Sequence, residues 1–257
     1  MALGLILAIV LAAATAIYFF VFRHPEVQVP ARSADHYSVE VKDKDGSSVR
    51  RNVHFKAKPV AQSRHGASLY EIWQTSTKKY ADRPCFGVRP TIKIHEEKKM
   101  VDGYERVMTY PELGPFAWIS YKEAGERVNN LASGLVKIGM KKGQALAIFE
   151  ETRLEWTLAS RACYCQSLVV FTVYANLGED ALVFALNQGE IGYMVTNASL
   201  MRMVAKIADQ VKTLKHIIYV GDCDAKDIAT LKSKGIETVS FTELETIGKA
   251  NLVPHNP

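Results

Sequence analysis

No glycine pattern that cradles a phosphate occurs in this chain: neither G-x-G-x-x-G nor G-x-x-x-x-G-K-[ST] is found among its 16 glycines. That removes the usual dinucleotide and P-loop readings. No serine lies in G-x-S-x-G, which removes the hydrolase nucleophile elbow. Cysteine is sparse: Cys85, Cys163, Cys165 and Cys223 form no C-x-x-C pair. Cys163 and Cys165 stand two apart, where a helix turns them to different sides, so reduced, packed thiols are expected. The 7 histidines are dispersed, with no H-x-x-x-H, and no metal site is assigned. The net charge is only +5, and the pairs Arg50-Arg51, Lys78-Lys79, Lys98-Lys99 and Lys141-Lys142 are scattered among acids. A solvated surface accounts for them, and no nucleic-acid partner is expected.

What is abundant is apolar side chain, at 48% of 257 residues, enough for a large core. Part of it sits in one run. Residues 1–22, "MALGLILAIVLAAATAIYFFVF", carry no charged side chain and are followed at once by Arg23 and His24. As a helix the run would be about 33 Å long, the thickness of a bilayer core. The absence of a basic stretch before it, and the apolar residues continuing past Ala14-Thr15-Ala16, favour an uncleaved transmembrane anchor over a signal peptide. Arg23 and Arg32 on its C-terminal side orient the body toward the cytosol. Residues 23–68 read as a linker with one hairpin turning at Asp45-Gly46.

From Leu69 to Pro257 the pattern is that of a domain. A helix is expected over Leu69 to Tyr80. Antiparallel strands are expected on either side of Asp102-Gly103 and Leu113-Gly114-Pro115. After Ser120 a strand-helix rhythm sets in. Ser120 with Glu123, Thr152 with Glu155, and Ser240 with Glu243 read as capping boxes. Between them lie "ALAIF", "LVVFTVY", "IGYMVT", "HIIYV" and "IETVS". Strands apolar on both sides, separated by amphipathic helices, predict an α/β fold with a doubly wound, mainly parallel sheet.

In such sheets ligands lie beyond the carboxyl ends of the strands. The turns there are Glu150-Glu151-Thr152, Tyr174-Ala175-Asn176, Asn197-Ala198-Ser199 and Gly221-Asp222-Cys223-Asp224. Adjacent glutamates diverge, so Glu150 and Glu151 read as helix-start residues rather than an acid-base pair. Asp222, Asp224 and Asp227 lack the glycine and terminal Glu of an EF-hand and read as turn and cap residues. The sequon Asn197-Ala198-Ser199 reads as a cap for the following helix.

Residues Trp118 to Thr196 resemble the N-terminal portion of the adenylate-forming acyl-CoA synthetases, and within them the long-chain fatty-acid CoA ligases. The likeness is carried by Tyr121-x-Glu123, Leu131-Ala132-x-Gly134-Leu135, Gly139-x-x-x-Gly143, Glu155-Trp156 and "VYANLGEDAL", and extends over about Leu69 to Ala250. Gln144, where Asp is common, and Cys165-Gln166-Ser167, in place of a small-Gly run, are small departures. The resemblance implies a ligase that uses ATP, Mg and CoA to convert a long-chain fatty acid to its CoA thioester, held at a membrane, with the endoplasmic reticulum as the expected location. It implies that Tyr174, Ala175 and Asn176 lie near the groove where CoA approaches, and that Arg202 meets a CoA phosphate. The family's Ser/Thr/Gly-rich ATP loop, Mg-binding acid, ribose-binding Asp and lid lysine have no counterpart here, so no catalytic residue is assigned and the chain alone is expected to be inactive. The alternative is a non-catalytic, membrane-tethered module that binds acyl-CoA or a partner protein.

Overall fold

A computed structural model of the chain describes residues 37–42, 46–53 and 66–257. The expected span over 1–22 and most of the linker lie outside the described residues; among these, no helix is long and apolar enough to cross a membrane. The chain divides into two compact units between Ala61 and Gln62. In the first, strands β1 (Ser38–Lys42) and β2 (Ser48–Asn52) pair antiparallel, with Val41 opposite Val49. Gly46 has a φ of 84°, where a side chain would be strained; Asp45, the other half of the expected turn, lies outside the described residues.

The second unit opens with helix α1 (Leu69–Lys79), capped by the Ser68 hydroxyl, which accepts from the Glu71 amide. Four strands follow: β3 (Pro84–Val88), β4 (Thr91–Val101), β5 (Tyr104–Leu113) and β6 (Ala117–Ser120). β4 and β5 form a long antiparallel ribbon whose two-residue turn, Asp102-Gly103, has positive φ at both positions, 53° and 81°. That is the type I′ geometry that matches strand twist. Nearly every ribbon residue is exposed, so cross-strand pairs such as Lys98 with Glu105 hold it. At its base β3 pairs with β6, and Arg89 donates to the carbonyls of Leu113 and Gly114.

The rest is the expected alternation: α2 (Tyr121–Lys137), β7 (Ala145–Phe149), α3 (Leu154–Cys165), β8 (Val169–Val173), α4 (Glu179–Gln188), β9 (Tyr193–Asn197), α5 (Ala198–Ile207), β10 (His216–Val220), α6 (Ala225–Ser233), β11 (Glu237–Ser240) and α7 (Phe241–Ala250). The five strands are all parallel, in the order β11-β10-β9-β7-β8. β7 and β9 are central and almost wholly buried, which is why they read as unbroken apolar runs. Helices α2, α3 and α7 pack Leu131, Leu135, Leu158 and Leu244 against one face. Helices α4, α5 and α6 pack Leu182, Leu186, Met201, Val204 and Leu231 against the other. The sheet is therefore doubly wound.

In two of the three expected capping boxes the serine caps its helix, Ser120 and Ser240 accepting from the amides of Glu123 and Glu243. In the third the pattern is out of step: α3 starts one residue later, with Arg153 rather than Thr152 at the cap position and no side-chain cap, and the Glu155 carboxylate accepts from the Arg153 guanidinium at 2.8 Å. Gly139, at φ 103°, ends α2 as expected. Cys163 and Cys165 are both buried, and burial pushes their thiols up to about 12.

Helices α2 and α7 cross glycine to glycine. A Cβ on Gly134 would lie 2.5 Å from the Leu244 carbonyl oxygen, and one on Gly248 would lie 2.5 Å from the Gly134 nitrogen and overlap the Asn130 carbonyl. Neither position needs an unusual φ; both need the absence of a side chain.

His216, at the start of β10, stacks on Tyr193 with ring centroids 4.9 Å apart, and burial lowers its pKa against the opposing pull of Glu237. His255, which shares a hydrogen bond with Tyr70, is lowered for the same reason. Unfolded histidine therefore takes up a proton first. Stability from these two groups is full above about pH 6.5 and is lost as pH falls through that value toward the folded pKa. Urea midpoints measured from pH 8 to pH 5 should fall below pH 6.5, and His216→Gln should flatten the decline; an unchanged pH profile in the variant would exclude His216 as a source.

Candidate functional site

Counting the parallel strands in chain order gives 2-1-3-4-5, so the order reverses between β7 and β9, and the crevice beyond their carboxyl ends is where this topology places a ligand. Glu150 follows β7 at that point. Its side chain is fully buried, whereas Glu151 points out into solvent, so the two glutamates diverge as expected. The structure corrects the role, however. Glu150 does not cap α3; its Oε1 accepts from Asn197 Nδ2 at 3.0 Å, across the junction of β7 and β9, and from Arg153 at 3.1 Å. Burial raises the Glu150 pKa, opposed by Asn197 and Arg153. Its Oε2 has no hydrogen-bond partner among the described residues.

Asn197 is used at both ends of its amide. While Nδ2 donates to Glu150, Oδ1 accepts from the amides of Ser199 and Leu200, at 2.9 and 3.1 Å, and so caps α5. The expected cap is present, and the nitrogen that a sugar would occupy is buried and engaged.

Three cavities open along the carboxyl edge. One, of about 570 Å³, lies between the turns after β7 and β8 and is walled by Glu150, Glu151, Trp156, Val173 and Tyr174. A second, of about 580 Å³, lies between β3 and the turn leading into α3. The third, of about 480 Å³, lies beyond β10 and β11 and includes Arg127, Asp222 and Ser240. Glu155 borders the last two.

Tyr174, Ala175 and Asn176 all line the first cavity, with Tyr174 78% exposed at its lip. Arg202 does not line it. It stands on α5 with its side chain 82% exposed, 3.9 Å from Asp224 and 4.0 Å from Asp227. Asp224 caps α6 through the Lys226 amide, the role expected for that acidic cluster. Among the described residues, no three of His, Cys, Asp and Glu converge to hold a metal ion.

The Glu150–Asn197 contact was missed in the sequence. Glu150 follows a buried strand and Asn197 ends one, which was a usable signal, but pairing them requires knowing that β9 rather than β8 lies on that side of β7.

A family model described as "AMP-binding enzyme" matches residues 97–251. Long chain acyl-CoA synthetase 8 of Arabidopsis thaliana is 36% identical over 191 residues, 73% of this chain and 26% of that protein. Long-chain-fatty-acid–CoA ligase 5 of Rattus norvegicus is 26% identical over 255 residues, 95% of this chain and 33% of that protein. The chain thus spans about a quarter to a third of the length of the curated relatives it matches. Among solved structures, the A-PCP didomain of a carboxylic acid reductase from Segniliparus rugosus, in complex with AMP, aligns with a TM-score of 0.60 at 18% identity over 76% of this chain and 28% of that one. The adenylation domain of a Mycobacterium chelonae carboxylate reductase aligns at 0.59 and 15% identity over 74% and 30%. At these identities the likeness is one of fold.

Proposed function

Since this chain belongs to the AMP-binding enzyme family, we propose that it forms the N-terminal portion of an ATP-dependent long-chain fatty-acid CoA ligase, anchored to a membrane through residues 1–22 with its body in the cytosol. The observation that carries the reading is the 36% identity to an acyl-CoA synthetase across 191 residues. The domain then runs over 69–257, with 23–68 as the linker. Tyr174, Ala175 and Asn176 form the lip against which CoA is received, and Arg202 offers an exposed cation to one of its phosphates. Arg202 is held by two aspartates near 4 Å, weak enough contacts at the surface to be exchanged for a phosphate. ATP and Mg are bound by residues outside those described, and adenylation is performed there; the endoplasmic reticulum is the proposed membrane.

The test is to detect the native polypeptide in a membrane fraction with an antibody to residues 121–187, and to assay palmitate, ATP and CoA for thioester formation. A polypeptide much longer than 257 residues that forms palmitoyl-CoA, with the 257-residue chain alone forming none, is expected. A native product of 257 residues without activity would replace this reading with that of a tethered binding module.

A further inference from the structure

A fourth cavity, of about 260 Å³, lies between α1, β3 and α3 and shares no residue with the cavity beside Tyr174. Its walls are largely aromatic, formed by Trp73, Phe86, Tyr121 and Tyr164, and its one charged residue is Arg161. The Arg161 guanidinium carbon lies over the rings of Trp73 and Phe86, 4.9 and 5.1 Å from their centroids. Nη1 donates to the Thr157 carbonyl at 3.1 Å, and among the described residues the guanidinium makes no other hydrogen bond. Its remaining donors are not sealed off, since no Arg161 nitrogen is a buried atom without a partner. Burial lowers the Arg161 pKa, opposed by Tyr164, Cys85 and Tyr121 with no carboxylate among them, and a guanidinium stays charged all the same. The other partly buried arginines differ: Arg127 is bound to Glu245, and Arg153 to Glu150 and Glu155. Arg161 is a cation held in an aromatic cavity without an anion.

Ring faces offset the charge, but they do not take up the N–H groups along the edge of the guanidinium. Those donors form the planar fork that pairs with a carboxylate. A phosphate would have to give up its hydration among aromatic walls for a single arginine. A monocarboxylate brings one charge, and its hydrocarbon body gains from burial against the rings. We infer that this cavity is a binding site for an alkyl or aryl monocarboxylate, whose carboxylate pairs with Arg161 and whose hydrocarbon body lies against Trp73, Phe86 and Tyr164. The site is separate from the lip proposed for CoA, and the inference does not rest on the ligase reading. Cys85, half-buried in the same wall, can report its occupancy.

The experiment labels the native polypeptide carrying this chain with N-ethylmaleimide in mildly alkaline buffer and follows Cys85 by peptide mass spectrometry. Cys223, also half-buried but in the wall of another cavity, is the internal reference. Octanoate should slow the labelling of Cys85 severalfold and leave Cys223 unchanged. Octanol, which lacks the charge, and inorganic phosphate, which lacks the hydrocarbon, should not slow it. Arg161→Gln should raise the octanoate concentration needed for half-protection by about tenfold or more. Absence of protection in the wild type, a Cys85 that does not label even without octanoate, or equal protection by octanol or phosphate overturns the inference. Cys85 also borders the second cavity, where Arg89 and Arg153 are the cations. Protection that survives Arg161→Gln would place octanoate there and overturn the inference too. Should that variant fail to fold, Arg161→Lys keeps the charge and loses the paired donors, and it must still weaken the protection; unchanged protection is equally decisive.

Discussion

Gly248→Ala should destabilise the fold by at least about 3 kcal/mol, at the upper end of what overpacking costs, and lower the melting temperature by roughly 6–12 °C for a domain of this size. The added methyl would overlap the Asn130 carbonyl and press on the Gly134 nitrogen. Both are backbone atoms inside a helix, so no rotamer change relieves the clash, and α7 must move off α2. That displacement would pull Phe241 and Leu244 out of the core on that face. Gly178→Ala is the matched control, because nothing lies within 4 Å of its Cβ position and its φ of −70° suits any residue. Because Gly178 stands at the N-cap of α4, where alanine is the poorer residue, the control should cost no more than about 1 kcal/mol. Circular-dichroism melts of the three proteins decide the matter, and equal melting of the Gly248 variant and the control would refute the close crossing.

Asn197→Ala should cost about 2–5 kcal/mol. Loss of the α5 cap accounts for about 0.5–2 kcal/mol, and loss of a hydrogen bond to a carboxylate for about 1.5–3 kcal/mol. Asn197→Asp separates the two. Its oxygen still caps α5, but a second carboxylate now faces Glu150 in a buried site. Like charges raise both folded pKa values above their unfolded ones, so stability is retained at low pH and lost as pH rises through the unfolded range near 4. Asn197→Asp should therefore match the wild type near pH 4 and approach the alanine variant near pH 7. Denaturant titrations at the two pH values measure this, and a loss independent of pH would mean that the Glu150 contact contributes little.

Much of the architecture was legible from local chemistry. The strand-helix alternation after Ser120, the turn at Asp102-Gly103, and the stop at Gly139 all depend on residues near one another in sequence. Their glycines and apolar spacing say what they do. The α3 start was misread by one residue: the cap position falls on Arg153, whose guanidinium is bound to Glu150 and Glu155, and not on Thr152. Glu150 was set aside for a different reason. Its partner Asn197 is brought to it by strand order alone, and a carboxylate read beside its sequence neighbours looks like a helix-start residue. Tyr174, Ala175 and Asn176 border a cavity because the carboxyl ends of parallel strands are where such sheets leave room; their role toward CoA came from resemblance alone. Arg202 was placed by resemblance, and the structure sets it among the aspartates of α6 instead of in the cavity wall.

The exposed β4–β5 ribbon also bears on how fast the domain can assemble. Pairing of β3 with β6 sets Phe86 beside Ile119, a separation that would ordinarily make loop closure slow. The ribbon lies wholly between them, and a hairpin with a two-residue turn forms in about 1–10 μs. Once it has zipped from Asp102-Gly103 outward, only Arg89-Pro90 on one side and Gly114 to Phe116 on the other remain to be ordered. The distant pair becomes, in effect, a neighbouring one. A ribbon with little burial of its own thus shortens the search that brings β3 to the rim of the second cavity.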